Sequence, residues 1–99
     1  MKIKHINEEG EEEIWRCRKP SAKMIWKLTK LDTEKMDDDE SIKILSTYLQ
    51  KVILEGPKGN TEIYKEMDLG DELEADLFFK LFAETAGPAL KEAKKLSDL

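Results

Sequence analysis

Three prolines, Pro20, Pro57 and Pro88, constrain this chain more than any other residues. Each fixes its own φ and lacks the amide hydrogen that a helix interior or a central strand needs. Between them the hydrophobic period changes. Before Pro20, Lys2-Ile3-Lys4-His5-Ile6 and Ile14-Trp15-Arg16-Cys17-Arg18 are short β-branched or aromatic runs, separated by an acidic segment with Asn7 and Gly10. That pattern predicts a β-hairpin over about residues 1–19. Side chains alternate along a strand, so Trp15 and Cys17 share the face expected to cover the core, with Ile14 on the other.

After Pro20 the apolar spacing becomes helical. Ser21 suits the cap of a first helix over about 21–35, in which Met24, Ile25, Leu28 and Leu31 form one stripe and Lys23, Lys27 and Lys30 the opposite face. Trp26 falls near the lysines, so either the hairpin folds over it or it is presented to a partner. Asp37 followed by Glu40 opens a second helix, to about residue 55. Its inward stripe is Ile42, Leu45, Tyr48, Leu49, Val52 and Ile53, with Lys43, Thr47, Gln50 and Lys51 left to solvent and Ile44 and Leu54 outside the stripe. Gly56-Pro57-Lys58-Gly59-Asn60 is turn chemistry. Asp71 and Glu74 repeat the capping spacing and start a third helix over about 71–86. Its wide apolar arc of Leu73, Leu77, Phe78, Leu81 and Phe82, extended by Ala75 and Phe79, makes it the expected central helix. Gly87 stops it and Pro88 starts a fourth, docked by Ala89, Leu90, Ala93 and Leu96. The expected fold is mainly α: an N-terminal β-hairpin followed by about four helices around a central helix near residues 71–86. The 99 residues are expected to make a single domain, because domains commonly run to ~100–150 residues.

Catalysis and metal chemistry have little to draw on. His5 is the sole histidine, so a nucleophilic dyad requires it to meet Cys17 across the hairpin. One His and one Cys cannot complete a tetrahedral structural zinc site within one chain. The run Asp37 to Glu40 fails as a calcium loop, because Ile42 and Tyr48 stand where Gly and Glu are needed. Lys58 precedes Gly59, which breaks the phosphate-loop order. The expectation is therefore a protein that is not an enzyme, with no catalytic, cofactor or metal residues. A lone Cys17 gives no intrachain disulfide, and the longest apolar run, Val52-Ile53-Leu54, falls far below the ~18–20 residues that span a bilayer. A cytoplasmic protein with no membrane partner is expected. Trp15 to Lys30 carries six cations, no acid and two tryptophans, the composition of a nucleic-acid surface. Against it stand 22 acidic residues, 17 basic ones and a net charge of −5. A small nucleic-acid-binding regulatory protein using segment 15–30 is the alternative reading.

One resemblance covers nearly the whole chain. A β-rich start leads through Lys19-Pro20-Ser21-Ala22-Lys23 into an amphipathic helix, and a second helix ends in Val52-Ile53-Leu54-Glu55-Gly56-Pro57. Asp71-Glu72-Leu73-Glu74-Ala75-Asp76-Leu77 then opens an aromatic, leucine-rich helix, with Ala86-Gly87 before a final short one. In layout, length and acidity this resembles the tail assembly chaperones of long-tailed bacteriophages and related prophages. The resemblance implies a non-enzymatic protein of the bacterial host cytoplasm that binds the tape measure protein during tail morphogenesis. It implies holding that partner soluble until tail tube subunits polymerise around it, with the tail tube protein a second candidate partner and homo-oligomerisation open. Such a task needs an adaptable apolar surface, which Met residues suit, and an aromatic anchor. Trp26 with Lys23, Lys27, Lys30, Met24 and Met36 is the partner surface expected on that reading.

Overall fold

The alternating runs before Pro20 form the expected hairpin, β1 (Lys2–Ile6) and β2 (Glu12–Cys17), in a computed structural model that describes residues 1–31 and 35–97. Ile3 faces Trp15 and His5 faces Glu13 across the antiparallel ladder. The turn is local chemistry: the Asn7 side chain accepts from the amides of Glu9 and Glu11 at 2.9 and 3.0 Å, and Gly10 takes a φ of +80°. Ile3, His5, Trp15 and Cys17 are all buried on one face.

Helix α1 (Ala22–Thr29) begins where Ser21 Oγ accepts from the Met24 amide at 3.3 Å. It is shorter than expected: Lys30 and Leu31 already lie beyond it, and the part over residues 32–34 falls outside the described residues. Helix α2 (Asp38–Val52) starts at Asp37, whose carboxylate accepts from the Glu40 amide at 2.7 Å, and three acids in its first turn complement the macrodipole. The expected extension to residue 55 does not occur. Ile53 leaves the helix and enters β3 (Ile53–Gly56), which pairs with β2 through Cys17↔Ile53 and Arg16↔Glu55. The Pro57-Lys58 turn then reverses the chain into β4 (Gly59–Asn60).

The sheet is therefore four-stranded and antiparallel in the order β1-β2-β3-β4, and the fold is mixed α/β where a mainly α chain with one hairpin was expected. The physical reason is the free edge of β2, whose amides and carbonyls require ladder partners that a longer α2 would deny them. Gly56 sits where the turn folds over the core. A Cβ there would lie 2.5 Å from the Tyr64 hydroxyl and 2.7 Å from the Trp15 ring.

Two short helices follow, α3 (Thr61–Lys65) and α4 (Leu69–Glu72), then α5 (Ala75–Ser97). The third helix thus begins four residues later than the Asp71 capping signal proposed, and Gly87-Pro88 does not divide it. Leu77, Phe78, Leu81, Phe82, Thr85, Ala86, Ala89, Leu90 and Ala93 continue one stripe on both sides of Pro88, each buried or packed against the core. Burial of both halves outweighs the ~3 kcal/mol that an internal proline typically costs.

Leu49, Leu77 and Leu81 are core as expected, while Leu45 and Phe82 are half-buried and Phe79 is exposed. Helices α2 and α5 are tied by a buried bond in which the Tyr48 hydroxyl donates to Thr85 Oγ1 at 2.9 Å, and Thr85 donates on to the Leu81 carbonyl at 2.7 Å. Gln50, expected in solvent, instead donates its amide to the carbonyls of Tyr64, Lys65 and Met67 at 3.3, 3.1 and 2.8 Å, clamping the end of α3.

Candidate functional site

Helix α1 rests against α5 and makes little direct contact with α2. A groove of about 500 Å3 consequently runs between α1 and α2. Met24 and Leu28 from α1 and Ile44 and Tyr48 from α2 supply its apolar lining. Ser21, Lys23 and Lys27 stand on the α1 wall, and Lys43, Thr47 and Lys51 on the α2 wall. Among the described residues no carboxylate lines this groove.

Helical spacing explains the arrangement. Lys23 and Lys27 are one turn apart, as are Lys43, Thr47 and Lys51, so each wall presents its cations in a row. Lysine stems extend the apolar walls while the ammonium groups stay at the rim. Tyr48 closes the inner side with its ring nearly covered, and burial raises its phenol above the usual range despite the bond to Thr85.

Of the residues expected to contact a partner, Met24, Lys23 and Lys27 meet in this groove. Trp26 and Lys30 do not line it. Trp26 is 49% exposed, which answers the question of whether the hairpin covers it, and the Lys30 ammonium sits 5.8 Å from its ring centroid. Met36 is half-buried in the bend before α2, away from the groove. The α2 wall was missed from the sequence, where Lys43, Thr47 and Lys51 read as an ordinary solvated face. One signal was present: Ile44 is an apolar residue stranded beside those polar positions.

The basic, tryptophan-containing segment does not form one surface. Trp15 is 3% exposed and packs on Tyr64 with ring centroids 5.1 Å apart, while Arg16 lies 3.5 Å from Glu55. His5 and Cys17 do not meet either: His5 stands across from Glu13, and Cys17 across from Ile53 at the other end of the ladder. Cys17 is wholly buried, which pushes its thiol up to about 11. His5 Nε2 instead lies 3.1 Å from Glu74 Oε2, joining β1 to the residue before α5. Asp76 completes a group of three whose ligand atoms lie within 4.8 Å of one another. A helix start favours carboxylates without any cation, and Asp76 Oδ1 already accepts from the Leu77 amide at 2.9 Å. This long-range meeting of residues 5, 74 and 76 left no mark in the sequence.

No family model matches the chain, and neither a curated protein nor a solved structure matches it. Among the described residues no helix is long and apolar enough to cross a membrane. What the fold and site define is a small mixed α/β domain carrying an apolar groove flanked by lysines.

Proposed function

We propose that this protein is a non-enzymatic binding protein that holds a helical segment of a partner between α1 and α2. The particular role is that of a phage or prophage tail assembly chaperone, acting on a tape measure protein in the host cytoplasm. The observation that carries the binding reading is the groove itself, with Met24, Leu28, Ile44 and Tyr48 aligned between two helices. An amphipathic helix laying its apolar face into such a groove is a recurrent mode of recognition. Exposed Trp26, beside Lys30, extends the contact area along α1. The tape measure protein as partner rests on the resemblance of the sequence, in length and acidity, to tail assembly chaperones. Burial of Trp15 weighs against the nucleic-acid alternative, since a base cannot stack on a ring inside the core.

Co-expression tests the proposal. A tape measure protein encoded beside this chain should stay soluble and co-purify when the chain is present, and precipitate when it is absent. Trp26→Ala should weaken the complex by about tenfold, the scale of an exposed aromatic anchor, with the chain's own unfolding midpoint unchanged. A tape measure protein that is equally insoluble with and without the chain sinks the chaperone role, and a Trp26→Ala variant that unfolds makes that residue structural.

A further inference from the structure

The lysines of the groove say what kind of helix it takes. We infer that it selects an acidic amphipathic helix of a partner protein, about two turns of which lie between α1 and α2. Apolar residues of that helix enter the groove and carboxylates on its flanks meet Lys23 and Lys27 on one side and Lys43 and Lys51 on the other. This inference rests on reading the groove as a helix-docking site.

Charge complementarity carries the argument. The chain as a whole is acidic, at −5, yet four lysines and no carboxylate line the groove among the described residues. Four cations elsewhere are matched, Lys4 with Glu12, Arg16 with Glu55, Lys65 with Glu62 and Lys95 with Glu92, while Lys2, Arg18, Lys19, Lys58, Lys91 and Lys94 make no ion pair among the described residues. What sets the groove apart is four lysines gathered in one lining with no carboxylate. Among the described residues Lys23, Lys27, Lys43 and Lys51 make no such pair. The dimensions agree with a helix. Lys43 and Lys51 are eight residues apart on α2, which is about 12 Å along the axis or a little over two turns. A partner helix lying alongside presents flanking residues at i and i+4 or i+7 over that length.

The lining distinguishes this occupant from a polyanion. Met24, Leu28 and Ile44 offer aliphatic surface and no stacking platform, and the ring of Tyr48 is nearly covered. A phosphate backbone would meet the lysines and leave the apolar lining unused. An acidic amphipathic helix uses both.

Three synthetic helices that share one apolar stripe and differ only in their flanks test the inference, one flanked by Glu, one by Gln and one by Lys. Binding to the whole protein is followed by fluorescence anisotropy at 50 and 500 mM salt. The Glu helix should bind at least tenfold more tightly than the Gln helix, lose most of that advantage in high salt, and leave the Lys helix unbound. Replacing all four groove lysines by Glu, on side chains exposed enough to leave the fold intact by circular dichroism, should reverse the preference so that the Lys helix binds best.

Equal binding of the Glu and Gln helices overturns the acidic partner and leaves helix docking standing. Binding of none of the three, with a tape measure protein still held in co-expression, overturns the groove as the docking site. Tighter binding of a single-stranded DNA 20-mer through the same lysines assigns the surface to nucleic acid and overturns the inference. A groove-dependent dimer in sedimentation, abolished by the four Lys→Glu changes, assigns it to a second copy and does the same.

Discussion

Cys17 shows how far a single residue's surroundings set its chemistry. The sequence presented it as the lone thiol beside a basic run; the fold encloses it completely, opposite Ile53 and with its carbonyl bonded to the Met1 amino group at 2.8 Å. Desolvation raises the thiol from 9.0 to about 11, with the Met1 ammonium opposing and Glu84 adding to the rise. The sign of the pH effect follows. Below pH 9 the thiol is protonated in both states and its contribution to stability is complete. As pH climbs towards 11 the unfolded chain ionises first, so about 2 kcal/mol of stability drains away. Tyr48 and Tyr64 are also raised by burial and act with the same sign at higher pH. Denaturant unfolding of the wild type and of Cys17→Ala at pH 8 and pH 11 isolates the thiol: the wild type should lose about 2 kcal/mol more than the variant. Equal losses would mean that the thiol is solvated in the folded state. Other residue roles were legible at once, such as Ser21 and Asp37 as caps and Gly10 in a turn, because each is satisfied within a few residues. Gln50 was not, because its three carbonyl partners come from the far side of the β3–β4 turn.

At the scale of elements, α5 is the most instructive. Gly87-Pro88 is strong helix punctuation, yet the apolar stripe from Leu77 to Ala93 keeps the same step across it. Pro88 is exposed, and its ring deprives the Glu84 carbonyl of an intrahelical donor. Pro88→Ala should therefore raise the stability of the folded protein by roughly 2–2.5 kcal/mol, the helix gain less the loss of proline's restriction on the unfolded chain. Thermal unfolding reads this directly. A lowered melting temperature would show that the proline shapes a bend the packing requires. The end of α2 fails to extend for the opposite reason: nothing in Val52-Ile53-Leu54 ends a helix, and the stop comes from the ladder with β2. Hence the hairpin was readable from its own alternation, while the two strands added to it were not.

For the whole molecule, the sheet packs Ile3, Trp15 and Cys17 against Leu49, Val52 and Tyr64, and α5 completes the core with Leu77, Phe78 and Leu81. Leu81 has no exposed surface, whereas Phe79, two positions earlier, is 52% exposed. Leu81→Ala should cost about 2–5 kcal/mol by transfer and cavity terms together. Phe79→Ala should cost about 1 kcal/mol, the scale of its edge contact with the Phe78 ring. Similar losses for the two variants in denaturant titrations would contradict the placement of α5. The same packing decides the groove, since α1 is held on α5 and so stands off from α2.

The sequence by itself determined the hairpin, the helix starts at Ser21 and Asp37, a chain reversal within Gly56 to Asn60 and the core positions Leu77, Phe78 and Leu81 of α5, whereas Phe79 and Leu96, placed on its apolar face, are exposed. Caps, turns and amphipathic stripes depend on residues a few positions apart, and their chemistry is complete locally. Only the tertiary structure decided that Ile53 to Gly56 form a strand, that α5 runs through Pro88, and that Lys23 and Lys27 face Lys43 and Lys51 across an apolar groove. Each of those outcomes depends on partners distant in the chain: hydrogen bonds owed by β2, apolar surface shared by two halves of a helix, and the docking of α1 on α5.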